Sequence, residues 1–346
     1  MGTSMCAFRR FASAGAALAN ASVLFVSTAG LLASMSHITC AATPTQTQNY
    51  PARPTRLIIP YPPGGPRDIQ ARLLGPRLSE VWGQSLVIDN RAGASGIIGT
   101  ALAAKAQPDG YTLVMISSGF ATAPSLYAKV PFDPLRDFTA VAPLTSGPGL
   151  LIVNDALPVR SVKELIAYAH AHPGQLNYGS AGNGVPSHLS VELFKMMTGT
   201  SLTHVPYKGM APAINDLLGG QIQVSLPTIP AALPHVQAGR VRALGVSGVK
   251  RSPAAPQVPA IAEAGIPGYV STNWYGIVAP AGTPSAIVSK LNGEITRTLT
   301  LPEVRTKLLA VGMEVQTGSP TAFEAFLAAE VAKWAKVVKA TGVRLD

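Results

Sequence analysis

Two glycine-rich turns hold the residues of this sequence best suited to chemistry. Tyr178-Gly179-Ser180-Ala181-Gly182-Asn183-Gly184, running into Val185-Pro186-Ser187-His188, lies between a short strand-like run and a helical pattern. Small residues ahead of a helix leave backbone N–H groups free to converge on an anion, and the helix dipole adds to their pull. Pro62-Pro63-Gly64-Gly65-Pro66-Arg67-Asp68 repeats the arrangement much earlier, after the apolar Leu57-Ile58-Ile59. Two such turns suit a ligand that is anionic at one end or both and is gripped from two sides.

For Gly64, Gly65 and the Gly182 to Gly184 run, close backbone approach to a ligand stands against an ordinary tight turn. Ser117 and Ser118 end a strand at its carboxyl edge, where ligands collect in open α/β sheets. His188 sits one turn inside its helix and is either a ligand contact or a structural hydrogen-bonding histidine. Lys208 either adds positive charge at a cleft mouth or is a commonplace surface lysine. Trp274 and Tyr275 either wall a pocket or pack at a junction. Catalytic signals are missing. The histidines show no metal-binding spacing, Gly245-Val246-Ser247-Gly248-Val249 fails the nucleophile-elbow pattern at its last position, and no phosphate-binding or dinucleotide loop follows a first strand. A binding protein without cofactor or metal is the expectation.

The elements that must position these residues alternate. Strands are expected over 55–60, 85–89 and 111–116, with a helix over 68–81 that Pro76 kinks or splits and whose Ile69, Leu73, Leu74, Leu78 and Val81 form one face. Such spacing implies βαβ units and a mostly parallel sheet. Two β-like runs over 139–154 flank Ser146-Gly147-Pro148-Gly149, a passage into a second lobe. Ser161-Val162-Lys163-Glu164 matches a capping box. Strands over 176–178, 203–205, 221–226 and 241–246 then alternate with helices, and the proline-rich 251–259 covers an edge. A strand over 271–278 returns to the first lobe. Thr283-Pro284 and Ser319-Pro320 read as an N-cap followed by proline, and the last helix, 321–340, aligns Phe323, Phe326, Leu327, Val331, Trp334, Val337 and Val338 largely along one stripe.

The first forty-odd residues follow another grammar: Arg9-Arg10, an apolar stretch over 14–35, and Cys40-Ala41-Ala42. This describes a secretory signal peptide over 1–42 cleaved after Ala42, with a membrane anchor and a lipoprotein start at Cys40 as rivals. Residues 43–54 read as a linker. Both cysteines lie in this leader, so a chain cut after Ala42 has no disulfide or thiolate chemistry. The leader holds two of the 27 basic residues and none of the 17 acidic ones, leaving 25 against 17, a net charge of +8 that favours anionic ligands. No basic run of five or more appears, so no nucleic-acid partner is expected.

Taken together, Pro62-Pro63-Gly64-Gly65 with Asp68, Asn90-Arg91 with Gly93 and Gly96, Pro108-Asp109-Gly110-Tyr111, Phe132-Asp133-Pro134, Ser180-Ala181-Gly182-Asn183-Gly184 with His188-Leu189, His204-Val205-Pro206-Tyr207-Lys208-Gly209 and Ala279-Pro280-Ala281-Gly282-Thr283-Pro284 carry a family signature. From about Tyr50 onward the chain resembles the substrate-binding receptors of tripartite tricarboxylate transporters, the Bug-type periplasmic proteins. The resemblance implies an α/β, two-lobed periplasmic-binding-protein-like fold, two βαβ sheets joined by crossing strands, with lobe I over 55–145 and 272–346 and lobe II over 146–271. It implies capture of a small carboxylate between the lobes by hinge closure, in the periplasm, for a membrane permease. The two turns would hold carboxylate through backbone N–H groups and ordered water, over Pro63 to Asp68 and Ser180 to Val185, with His188, Tyr207, Thr228 and Trp274 among the contacts.

Three positions depart from the pattern. Arg67 stands where a small hydroxyl residue is common, and either pairs with a carboxylate or turns to solvent beside Asp68. Val185 replaces a common Thr, and Pro227-Thr228 a frequent Asp-Asn pair, which argues against an amino-acid ligand. A ligand-sensing protein acting on a signalling partner, and an exported enzyme acting on a small carboxylate, remain the other readings.

Overall fold

Alternation of β-branched runs with helices, several of them started by proline, builds the chain in the computed structural model, which describes residues 49–345. The expected signal peptide and both cysteines lie outside the described residues. In chain order, β1 (Thr55–Ile59), α1 (Pro66–Trp82), β2 (Leu86–Asn90), α2 (Ile97–Ala104), β3 (Thr112–Ser117), α3 (Ser118–Leu126) and β4 (Phe138–Pro148) come first. After them come β5 (Leu150–Asn154), α4 (Val162–Ala171), β6 (Leu176–Ser180), α5 (Pro186–Thr198), β7 (Leu202–Pro206), α6 (Met210–Leu218), β8 (Val224–Ser225), α7 (Ile229–Gln237) and β9 (Val241–Val246). The chain closes with β10 (Thr272–Pro280), α8 (Ser285–Thr300), α9 (Pro302–Ala310), β11 (Glu314–Val315) and α10 (Pro320–Thr341).

Two sheets result, in the orders β11-β4-β10-β3-β1-β2 and β7-β6-β8-β5-β9. Neither is mostly parallel, contrary to the expectation. β1 pairs in parallel with β2 and β3, but β10 runs antiparallel to both β3 and β4. In the second sheet β5 is likewise antiparallel to β8 and β9. The cause is the crossing: a strand that arrives from the other sheet enters its new one from the opposite end.

The crossing is knitted by one hydroxyl. Ser247 Oγ, fully buried, accepts the Gly149 amide at 2.7 Å and donates to the Ser271 carbonyl at 2.5 Å, so both connecting segments share it. Gly149 has to be glycine, since a Cβ there would stand 2.1 Å from Leu226 and 3.0 Å from the Pro227 carbonyl.

Several local expectations are revised. α1 runs through Pro76 without a break; the proline is exposed, so water reaches the carbonyl it leaves unpaired. Its buried stripe is Ala71, Leu74, Gly75, Leu78 and Trp82, while Ile69 and Val81 are exposed. Thr283 does not cap α8: its hydroxyl donates to the Pro280 carbonyl at 2.8 Å, and Pro284 takes the cap position. At α4, Ser161 caps the Glu164 amide at 3.1 Å, but Glu164 returns its carboxylate to Arg160 N rather than to the cap residue. β8 is only two residues long. On α10 the stripe includes a buried acid, Glu330, whose Oε2 accepts the indole N–H groups of Trp274 and Trp334 at 2.8 and 2.9 Å, while Phe326 stays 38% exposed.

Candidate functional site

The first turn is shaped by Asp68. Its Oδ2 accepts the Gly64 amide at 2.9 Å and Arg72 Nε at 2.8 Å, and its Oδ1 accepts Asn90 Nδ2 at 3.1 Å. These bonds, Arg72 first, hold the carboxyl below the usual carboxylate range against the opposing effect of burial. With both oxygens engaged, Asp68 fixes the loop and is not a free ligand contact. Gly64 has φ +83°, which favours glycine, and both it and Gly65 face open space, with nothing nearer a built Cβ than the Pro62 carbonyl at 3.8 Å from that of Gly65. Pro63 and Pro66 are exposed beside them.

Arg67 does not turn to solvent. Its guanidinium carbon lies 3.6 Å from the centre of the Tyr61 ring and 5.6 Å from that of Tyr275, and its Nη2 donates to Ser117 Oγ. Nε is buried without a hydrogen-bond partner, and among the described residues no carboxylate comes within ion-pair distance of the group. Rings are partners that leave the N–H groups of a guanidinium available, and those N–H groups match a carboxylate.

Ser117 and Ser118 join β3 to α3 beside this arginine. Tyr275 of β10 is paired opposite Ser117, Ser118 Oγ donates to Asn273 Oδ1 at 2.8 Å, and Asn273 Nδ2 donates to the Tyr275 hydroxyl at 2.5 Å. Burial raises the Tyr275 pKa and Arg67 opposes that shift, so the phenol stays neutral. A cation, two hydroxyls, an amide and a phenol thus stand together at one end of the inner strands β3 and β10.

The second turn differs from expectation. Three amides expected to point at an anion donate within the turn instead: Ala181 N to Ser187 Oγ at 3.1 Å, Gly182 N to Ser180 Oγ at 3.2 Å and Gly184 N to His188 Nδ1 at 2.9 Å. Side chains one helical turn into α5 reach back, as capping residues do. The amides of Asn183 and Val185 have no such internal acceptor. His188 is 4% exposed, stacked at 3.8 Å on His204, whose Nε2 is 2.6 Å from Ser180 Oγ. His188 therefore braces the turn from behind and does not reach the cleft. Burial, with His204 next, lowers its pKa to about 4.

A cavity of about 190 Å³ lies in front of this turn, walled by Ala181, Val185, Ser187 and Thr228 from the second sheet's side, by Gly147 and Gly149 at the crossing, and by Asn273 and Ser271. A narrow gap lined by Ser118, Gly119 and Gly184 adjoins it at Pro186 and Ser271. Two of the expected contacts fall elsewhere. The Tyr207 hydroxyl is spent on Asp216 at 2.7 Å, and Trp274 points to the opposite face of β10, against α10. Trp274 is one residue out of register: strand alternation turns its neighbours Asn273 and Tyr275 toward Ser118 and Arg67. Sequence reasoning misses Asn273 and Tyr61 as site residues. A polar Asn inside an apolar strand is the available signal for the first. For Tyr61 nothing in the sequence shows that Gly96, where a Cβ would stand 2.8 Å from its ring, makes room for it.

Residues 70–343 match the family described as the tripartite tricarboxylate transporter family receptor. Protein BugT of Bordetella pertussis is 38% identical over 324 residues, 93% of this chain and 96% of that one. Among solved structures, Rpa4515 of R. palustris with adipate is 43% identical with a TM-score of 0.68, covering 85% of this chain and 98% of that chain. MatC from Rhodopseudomonas palustris with bound malate is 34% identical with a TM-score of 0.65, covering 84% and 100%.

Proposed function

The chain belongs to the tripartite tricarboxylate transporter receptor family, and we propose that this periplasmic solute-binding receptor captures a small aliphatic dicarboxylate between its two sheets and releases it unchanged to a tripartite tricarboxylate-type permease. Residues 1–42 serve as its export signal. The observation that carries the choice of ligand is Arg67: a cation turned inward, faced by two tyrosines and free of any carboxylate partner among the described residues. Relatives with adipate and malate bound support the same class.

One carboxylate meets Arg67 and the Ser117-Ser118 start of α3; the other meets the free amides at Asn183 and Val185 ahead of α5. Lobe I, 55–145 with 272–346, supplies the first set and lobe II, 146–271, the second, and they hinge about the segments that Ser247 clips together. Only the closed form satisfies both ends, so ligand shifts the population toward it. A helix N-terminus contributes roughly 0.3–1 kcal/mol, up to about 2 when partly buried, and a hydrogen bond to a charged group about 1.5–3 kcal/mol. Because association itself costs several kcal/mol, water bridges and apolar contacts to the ligand's methylenes must add to these terms to reach the roughly 8 kcal/mol of a micromolar complex.

Thermal unfolding against a panel of carboxylates, with amino acids and sugars as controls, tests this. Ligand at about 100 times Kd adds roughly 2.7 kcal/mol, so the midpoint rises with aliphatic dicarboxylates and not with the controls. No rise from folded, ligand-free protein, or conversion of the carboxylate to a product, overturns the proposal.

A further inference from the structure

The two connecting segments have a cavity on each side. Gly147, Gly149, Ser271 and Asn273 line the front cavity, and the alternate residues Ser146, Pro148, Thr272 and Trp274 line a second one of about 520 Å³ behind. Its other walls include Phe323 and Phe326 of α10, Glu314 and Gln316, and Val249 and Lys250 of the segment after β9, so both lobes contribute. A cavity of this size holds a small organic molecule.

Its walls are aromatic and fixed. Trp274 is oriented by its N–H bond to Glu330 and packs edge-to-face against Phe323 and Phe326, with ring centres 6.3 and 5.3 Å away. Gly276 makes room for Phe323, since a Cβ there would stand 2.2 Å from its ring. Polar groups in its lining are Gln316, whose Nε2 donates to Ser146 Oγ at 2.9 Å, Glu314, whose Oε1 accepts Ser252 Oγ at 2.6 Å, and Lys250, whose ammonium has no ion-pair partner among the described residues. At the mouth, Phe326 is 38% and Val249 75% exposed, apolar surface left in water. We propose that this rear cavity is a second ligand site, for a small, planar aromatic molecule, and that its occupant opposes capture of the carboxylate.

The opposition follows from position. Rotation about the connecting segments that narrows the front cleft widens the space behind them, so an occupant touching both Phe326 and Val249 loses contacts on closure. It binds the open form better, and linkage makes the antagonism reciprocal. This coupling rests on the hinge-closing receptor reading; the site itself does not.

The test is calorimetric titration of the full chain with 2-naphthol, in parallel with adipate. Saturable one-to-one binding is expected, weakened about tenfold or more, about 1.4 kcal/mol, by Ala322→Trp, which fills the cavity from an exposed helix position. Val249→Asp, at a side chain too exposed to matter for folding, weakens it comparably. Adipate affinity falls several-fold with 2-naphthol saturating, and 2-naphthol affinity falls by the same factor with adipate saturating. No saturable binding, or binding indifferent to both substitutions, overturns the site; an unchanged adipate affinity overturns the antagonism. If 2-naphthol binds as described but no carboxylate does, the receptor reading fails and the rear site stands.

Discussion

The guanidinium of Arg67 lies 3.6 Å from the centre of the Tyr61 ring, stacked on it rather than extended into water. The ring contact holds the cation against Tyr61, while Ser117 holds one nitrogen of its fork. A mobile surface charge becomes an oriented donor at the mouth of the first turn.

Arg67→Ala removes that donor and is expected to weaken adipate binding about 10- to 100-fold, the equivalent of about 1.5–3 kcal/mol for a hydrogen bond to a charged group. Arg67→Lys restores the charge but neither the fork nor the stacking, so it recovers only a small part. Calorimetric titration of both variants checks this, and full recovery by lysine would mean that charge alone matters.

Gly184 tests the second turn. It has φ +68°, so Gly184→Ala introduces backbone strain, and its Cβ, 2.6 Å from a terminal methyl of Leu345, displaces that side chain. A loss of about 1–3 kcal/mol in urea unfolding is expected. Gly64→Ala, with φ +83° but nothing within 4 Å of the added carbon, should cost less in stability.

Burial, with His204 second, depresses the folded pKa of His188 from 6.5 to about 4, and burial also lowers that of His204. The groups facing the pair are Tyr178, Glu192 and Lys195, and Glu192 is the one that pulls the other way. The unfolded chain binds these protons more readily, so stability is intact above about pH 6.5 and declines as pH falls from there toward 4. The steepest slope is about 1.4 kcal/mol per pH unit for His188, and His204 acts in the same direction. Melting temperature measured across that window should drop, and His188→Gln should make the drop shallower.

Ser247→Ala leaves the Gly149 N–H and the Ser271 carbonyl unpaired inside the crossing. A loss of about 1–3 kcal/mol in chemical denaturation is expected, and a change near zero would mean that the clip does not hold the connecting segments.

Alternation and turn chemistry make most elements legible, because proline and glycine punctuate this chain. The limits of α5 and the Ser319 cap of α10 can be read from local signals alone. What stays hidden depends on partners far along the chain. The antiparallel insertion of β10 between β3 and β4 is a tertiary fact, and so is the face of β10 that meets Ser118, which is why local pattern favours Trp274 over Asn273 as a contact. Asp68 and His188 show the same limit: each lies within a turn that binds anions in principle, yet the bonds that engage them are satisfied inside the fold.

The most direct test compares calorimetric titrations of adipate and its neutral diamide on the folded, ligand-free protein. The receptor account predicts one-to-one binding of adipate near micromolar Kd, no product after prolonged incubation, and affinity for the diamide lower by about a hundredfold or more, as loss of two charged contacts requires. Equal binding of the diamide, or no binding of adipate or any other dicarboxylate, would contradict it.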